Sequence, residues 1–81
     1  MELKDTVELM LSSDYKERFV AEYQQLKIRV DKLSVMLDKY CEGSLGFTLK
    51  CSYDLLLDQY LAMLNYQECL EQRAKEEGIA I

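Results

Sequence analysis

Asp14–Cys41 reads DYKERFVAEYQQLKIRVDKLSVMLDKYC, and its apolar spacing decides the fold. Phe19, Tyr23, Leu26, Val30, Leu33, Leu37 and Tyr40 recur at alternating steps of four and three. This is a heptad seam with a period near 3.5 residues, the mark of an α-helix packed lengthwise on another. A strand would alternate at every second residue, and this stretch does not. Upstream, Ser12-Ser13-Asp14 supplies N-cap residues, and Asp14 with Glu17 has the D-x-x-E form of a capping box. A helix over 15–41 at ~1.5 Å per residue is about 40 Å long.

Working toward the C-terminus, Gly43 is placed for a left-handed helix end, and 42–52 is a loop. Leu45, Phe47 and Leu49 alternate there with Gly46, Thr48 and Lys50, which predicts that they cover the end of the hairpin core. A short extended segment pairing with a partner is the alternative. Ser52 then offers an N-cap for a second helix over 53–77, and Gly78 stops it. Toward the N-terminus, Leu3, Val7, Met10 and Leu11 predict a short amphipathic helix over 3–12. It either folds back over the open side of the hairpin or reaches across to another subunit. Residues 1–81 thus form one all-α domain, an antiparallel two-helix hairpin with a short N-terminal helix.

The second helix carries more apolar surface than one partner covers. Leu56, Tyr60, Met63, Leu70 and Ala74 form one stripe, and Leu57, Leu61 and Leu64 form a second one residue round the helix. A core-facing helix needs an apolar arc of only ~100°. The first helix has its own surplus in Val20, Ile28, Val35 and Met36, outside the seam. The expectation is a homo-oligomeric helical bundle with Leu57, Leu61, Leu64, Ile28 and Val35 at the interface. A dimer forming four helices is the simplest closed form.

Oligomerisation also suits the size. Eighty-one residues sit near the limit at which one core supplies only a few kcal/mol, and such chains usually add disulfides, a metal or a second subunit. Three cysteines (Cys41, Cys51, Cys69), no CxxC spacing and no histidine suggest neither a disulfide framework nor a zinc site. The thiols are expected to be reduced, Cys41 and Cys51 read as structural, and nothing suggests a role for Cys69. No secretory signal or stretch of ~20 apolar residues is present, so a soluble cytoplasmic protein without membrane contact is expected.

Catalysis is poorly provided for. Histidine, the usual general base near neutral pH, is missing, and no phosphate loop, nucleophile elbow or metal-ligand spacing occurs. The expected role is binding, with no cofactor and no metal. A net charge of −5 argues against a general nucleic-acid binder. The charge is uneven, however. Residues 15–40 carry Lys16, Arg18, Lys27, Arg29, Lys32 and Lys39 against only four carboxylates, whereas residues 53–81 set Arg73 and Lys75 against six. Either a basic helix packs beside an acidic one, or an acidic protein holds a local site for a small anion. For the second case the candidate ligand residues are Tyr15, Lys16, Arg18, Tyr23, Lys27, Arg29 and Lys32. Arginine grips phosphate with a planar fork, and tyrosine can stack on a base.

From Asp14 to Ile79 the order of residues resembles a group of very small phage proteins named after a reading frame of a crAss-like gut phage. The resemblance is carried by Arg18-Phe19, Glu22-Tyr23, Leu26 and Asp31-Lys32-Leu33. It continues through Leu55-Leu56-Leu57-Asp58-Gln59-Tyr60, Met63, Tyr66 and Leu70-Glu71-Gln72-Arg73-Ala74. It implies a phage origin, a helical hairpin and a site of action in an infected bacterial host, but no functional residues. Small phage proteins of this kind often counter host defence. The leading expectation is therefore a homo-oligomer that sequesters a cyclic nucleotide or cyclic ADP-ribose-type immune signal. The alternatives are a protein-binding inhibitor of a host defence enzyme and a virion or assembly accessory acting through helical packing.

Overall fold

Asp14 opens the first long helix by accepting a hydrogen bond from the Lys16 amide at 2.9 Å. The predicted capping box does not close on it. Glu17 instead accepts from the Ser12 hydroxyl at 2.8 Å, and that same hydroxyl accepts from the Asp14 amide at 3.0 Å. Ser12 therefore links the two halves of the cap. In the computed structural model, which describes residues 1–81, this helix (α2) spans Tyr15–Glu42. It is preceded by a 3-10 turn at Leu3–Thr6 that runs into a single α-turn, α1 (Val7–Met10). The second long helix, α3, spans Tyr53–Glu77 and starts on Ser52, whose hydroxyl accepts from the Leu55 amide at 3.1 Å. The molecule is all-helical, and its two long helices pack as an antiparallel hairpin.

Both long helices stop on glycine in the left-handed region, where a side chain would be strained. Gly43 (φ +75°) ends α2 with the Ser44 amide donating back to the Lys39 carbonyl at 2.9 Å. Gly78 (φ +70°) ends α3 with the Ile79 amide donating to the Ala74 carbonyl at 2.8 Å. This six-residue closure commonly brings the residue after the glycine onto the last helical turn. Here it turns Ile79 into the core, where it is 8% exposed.

The seam residues of α2 face α3, and Phe19, Tyr23, Leu26, Val30, Leu33 and Leu37 are all buried. Only Leu70 and Ala74 are buried on α3. The contiguous core comprises Phe19, Tyr23, Leu26, Val30, Leu70, Ala74 and Ile79, so it sits at the end of the hairpin that carries the chain termini. The N-terminal segment packs on α2 and makes no comparable contact with α3. Thr6, fully buried, donates to the Leu3 carbonyl at 2.7 Å and accepts from the Gln25 amide at 2.9 Å. Ala21, also buried, lies on the side of α2 away from the seam. Within the chain the segment packs on the outer face of α2.

The loop departs from expectation. Leu45 and Leu49 are half-buried, but Phe47 is 61% exposed, and no strand forms. The loop lies at the end opposite the core and leaves the apolar groove between the long helices in that half uncovered. Tyr40 closes that end by stacking on Tyr53, with ring centroids 5.0 Å apart and an interplanar angle of 16°. All three cysteines are exposed, Cys41 and Cys51, read from sequence as structural, among them. The Cys41 thiol donates to the Tyr53 hydroxyl at 3.3 Å, and this contact leads the causes that hold the Tyr53 phenol above its ordinary pKa.

Candidate anion site on the first long helix

The two helices are not joined by ion pairs. The molecule holds two salt bridges, Lys32–Glu2 at 3.7 Å and Arg73–Glu77 at 3.2 Å, and neither crosses from α2 to α3. The basic helix packs beside the acidic one, as expected, but the side-chain bonds that cross between them are tyrosine–carboxylate bonds. The Tyr23 hydroxyl donates to Glu71 at 2.7 Å, Tyr15 donates to Glu77 at 3.0 Å, and Tyr66 donates to Glu22. Arg73 reinforces one of these, donating to the Tyr15 hydroxyl at 2.6 Å with its guanidinium 4.9 Å above the Phe19 ring. Two carboxylates of α3, Glu71 and Glu77, are thus engaged by phenols of α2, and no cation of α2 pairs with a carboxylate of α3. The sequence signal for this was available: tyrosines on both helices beside carboxylates on the opposite one.

The seven candidate ligand residues do not share one surface. At ~100° per residue, Lys16, Tyr23 and Lys27 lie on one flank of α2, and Arg18, Arg29 and Lys32 on the other. Tyr23 is 8% exposed and its hydroxyl is committed to Glu71, a bond that also leads the causes raising its pKa. Tyr15 is half-exposed, but its hydroxyl both donates to Glu77 and accepts from Arg73. Arg18 donates to the Ser12 carbonyl at 2.8 Å, pinning the turn that precedes α2. Lys16 borders a shallow cleft against Gly78 and Ile79.

Two clefts remain. The first, about 270 Å³, holds Arg29, Lys32 and Gln59 above a floor of Leu3, Leu33 and Met63. Arg29 has no ion-pair or hydrogen-bonded partner, and Lys32 has only an exposed contact with Glu2, of the kind worth little against solvent. Two cations and an amide over an apolar floor is a donor-rich setting that suits a phosphate with an attached ring. The second cleft, about 360 Å³, lies on the other flank and is bordered by Tyr23, Gln24, Lys27, Ile28 and Asp31. The Gln24 side-chain oxygen is buried there without a donor. Pockets that enclose small ligands run to ~300–1,000 Å³. Each cleft falls at or below the low end of that range and stands open on one side.

The candidate interface residues likewise divide. Leu57, Leu61 and Leu64 line a groove between the two long helices. Val35, 52% exposed, and Ile28, half-buried, lie on the side of α2 turned away from α3. One flat surface does not cover both groups, because the two stripes sit on different faces of the hairpin.

No helix is long and apolar enough to cross a membrane. Residues 13–76 match the family model described as Sequestin. The chain is 37% identical over 60 residues to a phage T4 protein described as an uncharacterized 7.5 kDa protein in the denB-rIIB intergenic region, covering 73% of this chain and 88% of that one. No solved structure matches. The expected membership of a small phage protein family holds, but the family is Sequestin and not the one named after a crAss-like reading frame.

Proposed function

This chain belongs to the Sequestin family, and from that premise we propose that it is a phage binding protein that sequesters a nucleotide-derived immune signal as a homo-oligomer. The family's name states sequestration, and the similar T4 protein places the chain among phage proteins. The observation that carries the chemistry is the cleft in which Arg29 and Lys32 converge with Gln59 while no carboxylate of α3 neutralises them. Arg29 grips a phosphate with its planar fork, Lys32 adds a point charge, and Leu33 with Met63 receives the base or ribose. A second subunit closing over the open side supplies the enclosure that a cleft of about 270 Å³ lacks. Lys27 and the unpartnered Gln24 oxygen form the matching polar edge on the opposite flank.

The test is calorimetric titration with cyclic di- and trinucleotides and cyclic ADP-ribose variants. One ligand class should bind, and the Arg29→Glu/Lys32→Glu double variant should lose about 100-fold in affinity, as expected when two charge-assisted contacts go. Both side chains are on the surface, so circular dichroism should not change. Undiminished affinity in the double variant would remove the cleft from the reading, and silence across the whole panel would remove the nucleotide.

A further inference from the structure

Six tyrosines are spread along the hairpin, and five of them are occupied or badly placed for a ligand of the Arg29–Lys32 cleft. Tyr23 is buried with its hydroxyl on Glu71, and Tyr15 is clamped between Glu77 and Arg73. Tyr40 and Tyr53 stack on each other at the loop end. Tyr60 borders the groove on the opposite flank. The sixth is Tyr66. It is 44% exposed, and its hydroxyl donates to Glu22 across the two long helices.

Helix geometry puts the Tyr66 ring at the rim of that cleft. Met63 belongs to the cleft floor, and Tyr66 follows it on α3 by about 4.5 Å and ~60° of rotation. Its anchor Glu22 precedes Arg29 by two turns and so lies on the same side of α2. The contacts of Tyr15 with Glu77 and Tyr40 with Tyr53 set the register of the hairpin. By that register Tyr66 is level with Leu26, about one turn from Arg29. Helical side chains lean toward the N-terminus of their helix, which carries the Arg29 guanidinium toward the level of Tyr66. The bond to Glu22 also holds the ring in one orientation, so a ligand stacking on it has less freedom to freeze out.

We infer that Tyr66 is the stacking platform of the site. A nucleobase lies flat on its ring while Arg29 and Lys32 hold the phosphate and the floor of Leu33 and Met63 receives the sugar. The ligand class is a base carried on phosphate, and a purine offers the ring the larger face. An inorganic phosphate fills only half of the site. A tyrosine that served only to strap α3 to α2 would use its hydroxyl and leave its open face idle. The inference rests on the phosphate cleft of the proposed function and adds the residue that reads the base.

Calorimetric titration with ADP and with inorganic pyrophosphate tests it, since the two probes differ by the nucleoside alone. The wild-type chain binds ADP the more tightly. Tyr66→Ala lowers affinity for ADP about tenfold, the order expected when one base–aromatic stack is lost, and leaves pyrophosphate binding and helical circular dichroism unchanged. Tyr66→Phe keeps the ring, loses the bond to Glu22 and retains most of the ADP affinity. Equal losses in the two variants overturn stacking in favour of the strap. The chain has no tryptophan, so Tyr66→Trp reports on the ring position directly. Its emission is quenched by ADP and not by pyrophosphate, and unchanged emission at saturating ADP overturns the stack. The Arg29→Glu/Lys32→Glu double variant separates this inference from the reading beneath it. Pyrophosphate binding that survives the double change, with ADP binding weakened in Tyr66→Ala, removes the cleft and leaves the ring. Pyrophosphate binding lost there, with ADP indifferent to Tyr66→Ala, removes the ring alone. A wild-type chain that binds neither probe overturns both.

Discussion

The two ends of the hairpin obey one sequence rule and reach different outcomes. Near the termini, Phe19, Leu26 and Val30 of α2 meet Leu70 and Ala74 of α3, and all are buried. At the loop end, Leu33 and Leu37 continue the same seam and are also buried, yet their neighbours on α3 are only half-covered and Leu61 stands in the open. The difference lies in what else is present. At the terminal end, Ile79 turns in after Gly78, the N-terminal segment backs α2, and three tyrosine–carboxylate bonds tie the helices. The loop end has a Tyr40–Tyr53 stack and a loop whose Phe47 points away from any core. A heptad seam brings two helices together, but a third element is needed to bury what they share.

Truncation should break that comparison most visibly. Leu70 is 1% exposed, so Leu70→Ala should cost about 2–5 kcal/mol, the range for a buried leucine that leaves a cavity. For a chain this small that is a large share of total stability. Leu61→Ala removes a side chain that is 56% exposed in the single chain, and surface changes of that kind usually cost within ~0.5 kcal/mol. Urea unfolding of both variants at low protein concentration measures the gap. Similar costs at both positions would mean that stability is spread evenly along the hairpin, contrary to the burial pattern.

The two helix-ending glycines sharpen the same contrast. Alanine at either position must hold a positive φ, at a cost of roughly 1–2 kcal/mol. An added Cβ meets nothing within 4 Å at Gly43 or Gly78, so backbone strain is the whole local effect. At Gly78, however, relief of that strain swings Ile79 out of the core, whereas at Gly43 it moves only exposed loop residues. Gly78→Ala should therefore be the more destabilising of the pair, and thermal unfolding of the two variants side by side would show it. Equal shifts would mean that Ile79 adds little.

Much of this was legible before any coordinates. The seam, the Asp14 and Ser52 caps and the Gly43 and Gly78 stops follow from local rules that act within a few residues. Which end of the hairpin holds the core was not legible, because it depends on where two short tails fold, and periodicity is silent about that. The D-x-x-E pattern at Asp14 misled because Ser12, two residues upstream, competes for Glu17. The candidate anion site was legible as a set of residue types but not as a place. Lys27 and Arg29 are close in sequence yet on opposite flanks of α2, and Tyr23 satisfied the seam before it could serve a ligand. The sequence gives Arg73, which clamps Tyr15 and covers Phe19, no role beyond its charge, because a lone arginine on an acidic helix carries no pattern.

The smallest expected effect concerns the bond that ties Tyr23 to Glu71. Its phenol is held above the usual tyrosine value first by the hydrogen bond to Glu71, then by burial and by the nearby negative charge. All three favour the protonated form, so the folded chain holds that proton more tightly than the unfolded chain does. The stabilisation is fully present below the unfolded value of about 10 and is lost as pH rises through the higher folded value. Stability should therefore decline on the alkaline side. Tyr23→Phe should lower stability near neutral pH by about 1 kcal/mol, the net value of one hydrogen bond, and should flatten that decline. Tyr53, at the exposed end, is also raised, through its contact with Cys41, but water screens it, and Tyr53→Phe should leave the alkaline limb almost unchanged. Unfolding curves taken between pH 7 and 11 compare the two tyrosines directly. A flattened limb in Tyr53→Phe rather than Tyr23→Phe would put the pH-sensitive contact at the open end of the hairpin.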